Sequence, residues 1–224
     1  MKQIKISVNK LGEYMTADPS RRKRIIADQK KPKRFIVQRY SIARRAIADY
    51  FVYHRGDKKE IERLIQSLIY EKYDTDFKKS DSILSIEALS IFKKNVTFDK
   101  SLFNFDLEKF RSFESKRLDV SGVSVSIRPE VIISGKMRGK PFIGAIKMHF
   151  SKTNQLDKEA GSFISTLLYQ YLIETYPEMK VRPEFCFSLD VFSSTVITAP
   201  KNFARKWMQI TDACEEIKIR WDYL

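Results

Sequence analysis

Apolar residues recur at three- and four-residue spacing through the first hundred positions, and at every second position from about residue 117. The chain is therefore expected to begin as helices and continue as strands interleaved with helices. Ser7 is placed to cap a short helix through about Thr16, and Asp18 followed by Pro19 starts another that ends before Pro32. Ser41 caps a third helix, running to about His54 and stopped by Gly56. Asp57 opens a fourth, in which Ile61, Leu64, Ile65, Leu68 and Ile69 share one face. A fifth is expected over Asp81–Lys94, and a short one around Leu107.

Beyond Arg117 the period shortens to two. Val123, Val125 and Ile127 alternate with Ser124, Ser126 and Arg128, as in a strand with one face buried. Pro129 interrupts the ladder before a second strand, Glu130 to Ile133, and Gly135 and Gly139 supply a turn into a third, from about Phe142 to Phe150. A helix from Asp157 to about Tyr176, a strand from Glu184 to about Thr198 and a helix from Asn202 to about Glu216 complete the order. Two regions follow from this pattern: a basic helical region, 1–80, and an α/β core with a C-terminal helix, 81–224.

Charge changes the picture. The segment from Arg21 to Arg45 carries eleven Lys/Arg against one acid, Asp28, and so holds +10 of the chain's +14 formal charge. Cations gathered in this way gain free energy by displacing counterions from a phosphate backbone, so nucleic acid is the expected partner, DNA ahead of RNA. The plain alternative is a solvated charged face. Arg21, Arg22, Lys23, Arg24, Lys30, Lys31, Lys33, Arg34 and Arg39 are the candidate contacts, in a helical region that also suits a helix-turn-helix reader. Gln29, Gln38 and Arg39 would then face bases.

Cys186 and Cys214 lack metal-ligand spacing and read as core thiols, which fits a cytoplasmic location. No run reaches the ~18 apolar residues of a membrane span, and the N-terminus lacks a signal-like stretch, so no membrane association is expected. GxSxG, HExxH, GxGxxG and GxxxxGK[ST] are all absent, which excludes the common triad, zinc and nucleotide-loop chemistries.

One constellation remains. Pro129-Glu130 followed by Val131, Ile132 and Ile133, together with Ile143-Gly144-Ala145-Ile146-Lys147, lies in a helix, three strands, helix, strand order. Over residues 81 to 200 this resembles the PD-(D/E)xK nuclease-like superfamily. The resemblance implies an αβββαβ restriction-endonuclease-like core with a mixed sheet, Glu130 as ligand of Mg²⁺, and Lys147 orienting a water for phosphodiester attack. Residue by residue the match is incomplete: Ala145 stands where the family has its second acid. The missing ligand is then sought at Glu87 or Asp190 first, with Asp119 and Glu159 behind them. Gln170 and Tyr171 are similar to the Gln and Tyr of RecB-like members, without the full spacing.

Independent of any family, Ala145, Lys147 and His149 share one strand face, and a lysine in so apolar a strand must reach solvent or meet an acid. Glu130 is its expected partner. Lys136, Arg138 and Lys140 are placed to steer a nucleic-acid backbone from the hairpin loop. The function expected is thus a nucleic-acid-binding protein of nuclease-like build, as a Mg²⁺-dependent phosphodiesterase or a catalytically degenerate relative. The alternatives are a non-catalytic DNA- or RNA-binding regulator and a basic assembly subunit, with a protein partner or a second copy of the chain.

Overall fold

Most of the periodic stretches form the elements their patterns demand. The computed structural model describes residues 3–31, 39–111 and 117–223; the candidate cations Lys33 and Arg34, and Gln38, lie outside them. The chain runs β1 (Lys5–Ser7), α1 (Val8–Thr16), α2 (Pro19–Lys30), α3 (Ser41–Val52), α4 (Lys59–Tyr70) and α5 (Asp76–Asn95). A short 3-10 turn precedes β2 (Asp106–Lys109), β3 (Arg117–Val120), β4 (Val123–Ser126), β5 (Val131–Met137) and β6 (Lys140–His149). Then come α6 (Lys158–Thr175), β7 (Lys180–Asp190), β8 (Thr195–Thr198) and α7 (Ala204–Tyr223). The fold is α/β, with helices on both sides of mixed sheet.

Local signals account for many boundaries. The Ser7 hydroxyl accepts from the Lys10 amide, and the Asp18 carboxylate accepts from the Arg21 amide ahead of Pro19. Asp157 caps α6 through the Ala160 amide. At Ser41 the local reading changes: Tyr40 is the capping residue, in a left-handed conformation, and the Ser41 amide and hydroxyl both donate to Asp81, 40 positions away.

A five-stranded sheet, ordered β2-β5-β6-β7-β8, divides the core. β5 and β6 form an antiparallel hairpin, while β6 and β7 run parallel with α6 as the crossover. On one face Ala145 and Cys186 join α1, α2, α6 and α7; on the other Val131, Ile133, Ile146 and Met148 join α3, α4 and α5. Both cysteines are buried and free, and burial pushes the Cys214 thiol up to about 12.

Three expectations change in the folded chain. The strand expected at Val123–Ile127 does not enter the main sheet; it is β4, in a separate sheet ordered β1-β4-β3. Its place beside β5 is taken by β2, where a short helix around Leu107 was expected: Leu107 pairs with Ile133 across an antiparallel register. The single strand expected from Glu184 to Thr198 starts earlier and is two, β7 and β8, folded back on each other. The division near residue 80 is also not where the core divides. β1 is hydrogen-bonded to β4 and Leu11 of α1 packs in the α6 cluster, so the N-terminal helices contribute to both sides of the sheet. Among the described residues no helix is long and apolar enough to cross a membrane.

Gly144 sits where the β6–β7 register shifts. A Cβ there would lie 2.4 Å from the Phe185 Cβ and 2.5 Å from its carbonyl oxygen, a clash that only strand separation relieves. Gly144→Ala is expected to lower unfolding stability by about 2 kcal/mol or more, read from denaturant midpoints.

Candidate functional site

Glu130 precedes β5, and its amide donates to the Ile146 carbonyl at 2.9 Å, which sets its side chain beside β6. Four groups meet there. The Lys147 ammonium donates to Glu130 Oε1 at 2.9 Å and to the Arg128 carbonyl at 2.7 Å. The Met148 amide donates to Glu130 Oε2 at 2.7 Å, and Arg44 of α3 forms an ion pair with Oε1. Arg44 also lies over the Phe150 ring, 4.7 Å from its centroid, so the guanidinium is held from two directions.

The Glu130 and Lys147 side chains are only 10% and 9% exposed, enough to reach an open cleft and little enough to strengthen their attraction. Burial pushes the Lys147 ammonium below the usual lysine range. The Glu130 carboxylate opposes that shift, and the Arg44 guanidinium adds to it.

The cleft above this pair encloses about 910 Å³ and lies among the first turn of α1, the start of α3 and the segment leading into β5. Arg45 and Arg128 on its wall are exposed and form no ion pair among the described residues. Arg128 adopts a positive φ of 43°, a costly conformation for a side chain of its size that turns its carbonyl onto Lys147. Ser7, Val8 and Asn9 line the same cleft with the N-terminal, positive end of the α1 dipole. The walls thus suit an anion.

The carboxylates expected to hold Mg²⁺ are not gathered at this point. Ala145 is fully buried. Glu87 pairs with Lys152 at 2.6 Å on the surface, and Glu159 pairs with Lys206 at 2.7 Å. Asp119 accepts from the Gly122 amide, and Asp190 accepts from the amides of Leu156, Phe192 and Ser193. Glu130 itself spends its oxygens on two cations and an amide. Among the described residues no three His, Cys, Asp or Glu side chains form a set that could hold a metal ion, so the residues in place do not fit a hard divalent cation, which requires several oxygen ligands.

The basic N-terminal segment separates into two kinds of cation. Arg21 pairs with Glu13; Arg22 caps the end of α1 through the Tyr14, Met15 and Ala17 carbonyls and reaches Glu216; Lys30 donates to the Trp221 carbonyl at 2.5 Å. These three hold α1, α2 and α7 together. Lys23, Arg24, Lys31 and Arg39 remain exposed. The hairpin cations Lys136, Arg138 and Lys140 lie at the other end of β5 and β6 from Glu130 and Lys147, about 23 Å along the strand by rise per residue. Gln170 bonds Glu174 on α6, and Tyr171 is buried in the core. Arg44 was not singled out by sequence; its partner is 86 positions away.

His149, two residues beyond Lys147 on β6, is buried. Its Nε2 donates to the Asn154 carbonyl at 2.8 Å, which leaves Nδ1 unprotonated, buried and without a hydrogen-bond partner among the described residues. Burial lowers its basicity below the ordinary 6.5, against the Asn154 carbonyl and the Asp190 carboxylate; Glu13 and Lys10 of α1 act weakly in opposite senses.

Compared with known proteins, the chain matches no family model and no curated protein.

Two outcomes follow. Glu130→Ala leaves the Lys147 ammonium buried without its counterion and is expected to cost roughly 3–5 kcal/mol in chemical denaturation. Glu130→Ala combined with Lys147→Met restores most of that loss, because the charge is removed with its partner. The folded His149 ring binds a proton less readily than the unfolded one, so stability from this residue is whole above about pH 6.5 and declines as pH falls below it. His149→Gln is expected to flatten the loss of stability between about pH 7 and about pH 5.

Proposed function

We propose that this protein binds nucleic acid through the cleft between α1 and α3, on a nuclease-like core whose acidic position holds cations instead of a metal. The observation that carries the reading is the saturation of Glu130 by Lys147, Arg44 and the Met148 amide in a cleft also lined by Arg45 and Arg128, which form no ion pair among the described residues. Glu130 neutralises one of the two cations it holds and fixes the direction of both. The net charge left at the floor is positive and rigid, which favours a phosphate group over a neutral ligand. Arg45 and Arg128 supply the electrostatic rim, and the first turn of α1 adds backbone amides.

A metal-dependent nuclease is the second reading, favoured by the 2.9 Å contact between Lys147 and Glu130 on adjacent strands, the pair the resemblance implies. One experiment separates the two. Labelled single- and double-stranded DNA and RNA are titrated with the protein in fluorescence anisotropy, with and without millimolar Mg²⁺ or Mn²⁺, and the products are run on a gel. Binding without cleavage is expected. Arg45→Glu combined with Arg128→Glu should weaken it at least tenfold at ~50 mM salt and reduce the slope of log affinity against log salt by about two. Metal-dependent cleavage abolished by Glu130→Gln would replace the binding reading with the nuclease one, and affinity indifferent to salt would remove both.

A further inference from the structure

The β5–β6 hairpin turns through two residues of positive φ, Arg138 at 52° and Gly139 at 77°. A two-residue turn of this type favours Asn-Gly or Asp-Gly, whose side chains tolerate the left-handed region. Arginine in that place carries a steric cost with no local hydrogen bond to offset it. Strain of this kind collects where a side chain serves a purpose other than stability.

Around the turn, Arg138, Lys140, Lys180 and Arg182 line a concavity of about 340 Å³ floored by Pro141 and Phe142. The register explains the convergence: Lys140 opens β6, Lys180 opens the parallel β7, and Lys180 pairs with Phe142. Arg182 is neutralised by Glu184. Arg138, Lys140 and Lys180 form no ion pair among the described residues. Like charges held around one hollow repel each other and focus a positive field within it, a cost that an entering anion relieves.

Lys147 lies seven residues along β6 from Lys140, about 23 Å by rise per residue. A phosphate held at one place cannot reach the other. We propose that the hairpin end of the sheet is a second anion site, which takes backbone phosphates of a nucleic acid independently of the Lys147 cleft. This rests on nucleic-acid binding as the protein's function.

Arg138→Asn and the double variant Lys140→Glu, Lys180→Glu test it in the full chain, with a labelled duplex of about 30 base pairs in anisotropy and melting followed in parallel. Arg138→Asn should raise the melting temperature by a degree or more, since Asn suits the turn, while weakening binding about threefold at ~50 mM salt. The double variant should weaken binding about tenfold and reduce the salt slope by about two, and its effect should multiply with that of Arg45→Glu, Arg128→Glu. Hairpin variants that bind as the wild type while the cleft variant loses affinity overturn the second site and leave the cleft reading intact. A wild-type chain that binds no nucleic acid overturns both.

Discussion

The Glu130 carboxylate is where the separate parts of this chain meet. It ties the start of β5 to the end of β6 through Lys147 and the Met148 amide, and ties both to α3 through Arg44. An ammonium in a strand buried on both faces could not stay charged without it. Without it the Arg44 guanidinium would keep, among the described residues, only its contact with the Phe150 ring. A single acid thus fixes the placement of two cations from elements that sequence separates widely, and the electrostatic character of the site follows from that arrangement.

The positive charge of the protein is divided by role. Arg21, Arg22 and Lys30 are consumed in capping α1 and joining α2 to α7, where a cation near helix carbonyls is favourable. Arg45, Arg128, Arg138, Lys140 and Lys180 have no counterion among the described residues and stand around concave surfaces. Two of these arginines sit at positive φ. Exposed ion pairs contribute little to stability, so the fold loses little by leaving these cations unpaired.

Much of the fold was legible in the sequence because local physics decided it. Ser7, Asp18 and Asp157 cap helices as side-chain chemistry requires, and the alternation in β4 and β6 sets which residues share a face. The pairing of Lys147 with Glu130 was readable for the same reason: a buried cation must have a partner, and the neighbouring strand offered one. Leu107 lies in a strand of four residues, too few for a period to declare itself, and pairing with Ile133 supplies the missing preference.

What the sequence determined by itself was the kind of element at most positions, the face each side chain takes, and the surplus of positive charge, since each depends on neighbours within a few residues. Tertiary structure decided which sheet β4 joins, which cations are spent on carbonyls and which stay free, and that Arg44 reaches Glu130. The place of β4 beside β1, the bond from Lys30 to Trp221 and the reach of Arg44 to Glu130 depend on residues 86 or more positions apart; their free energies exist only once the chain has closed on itself, and no local pattern encodes them.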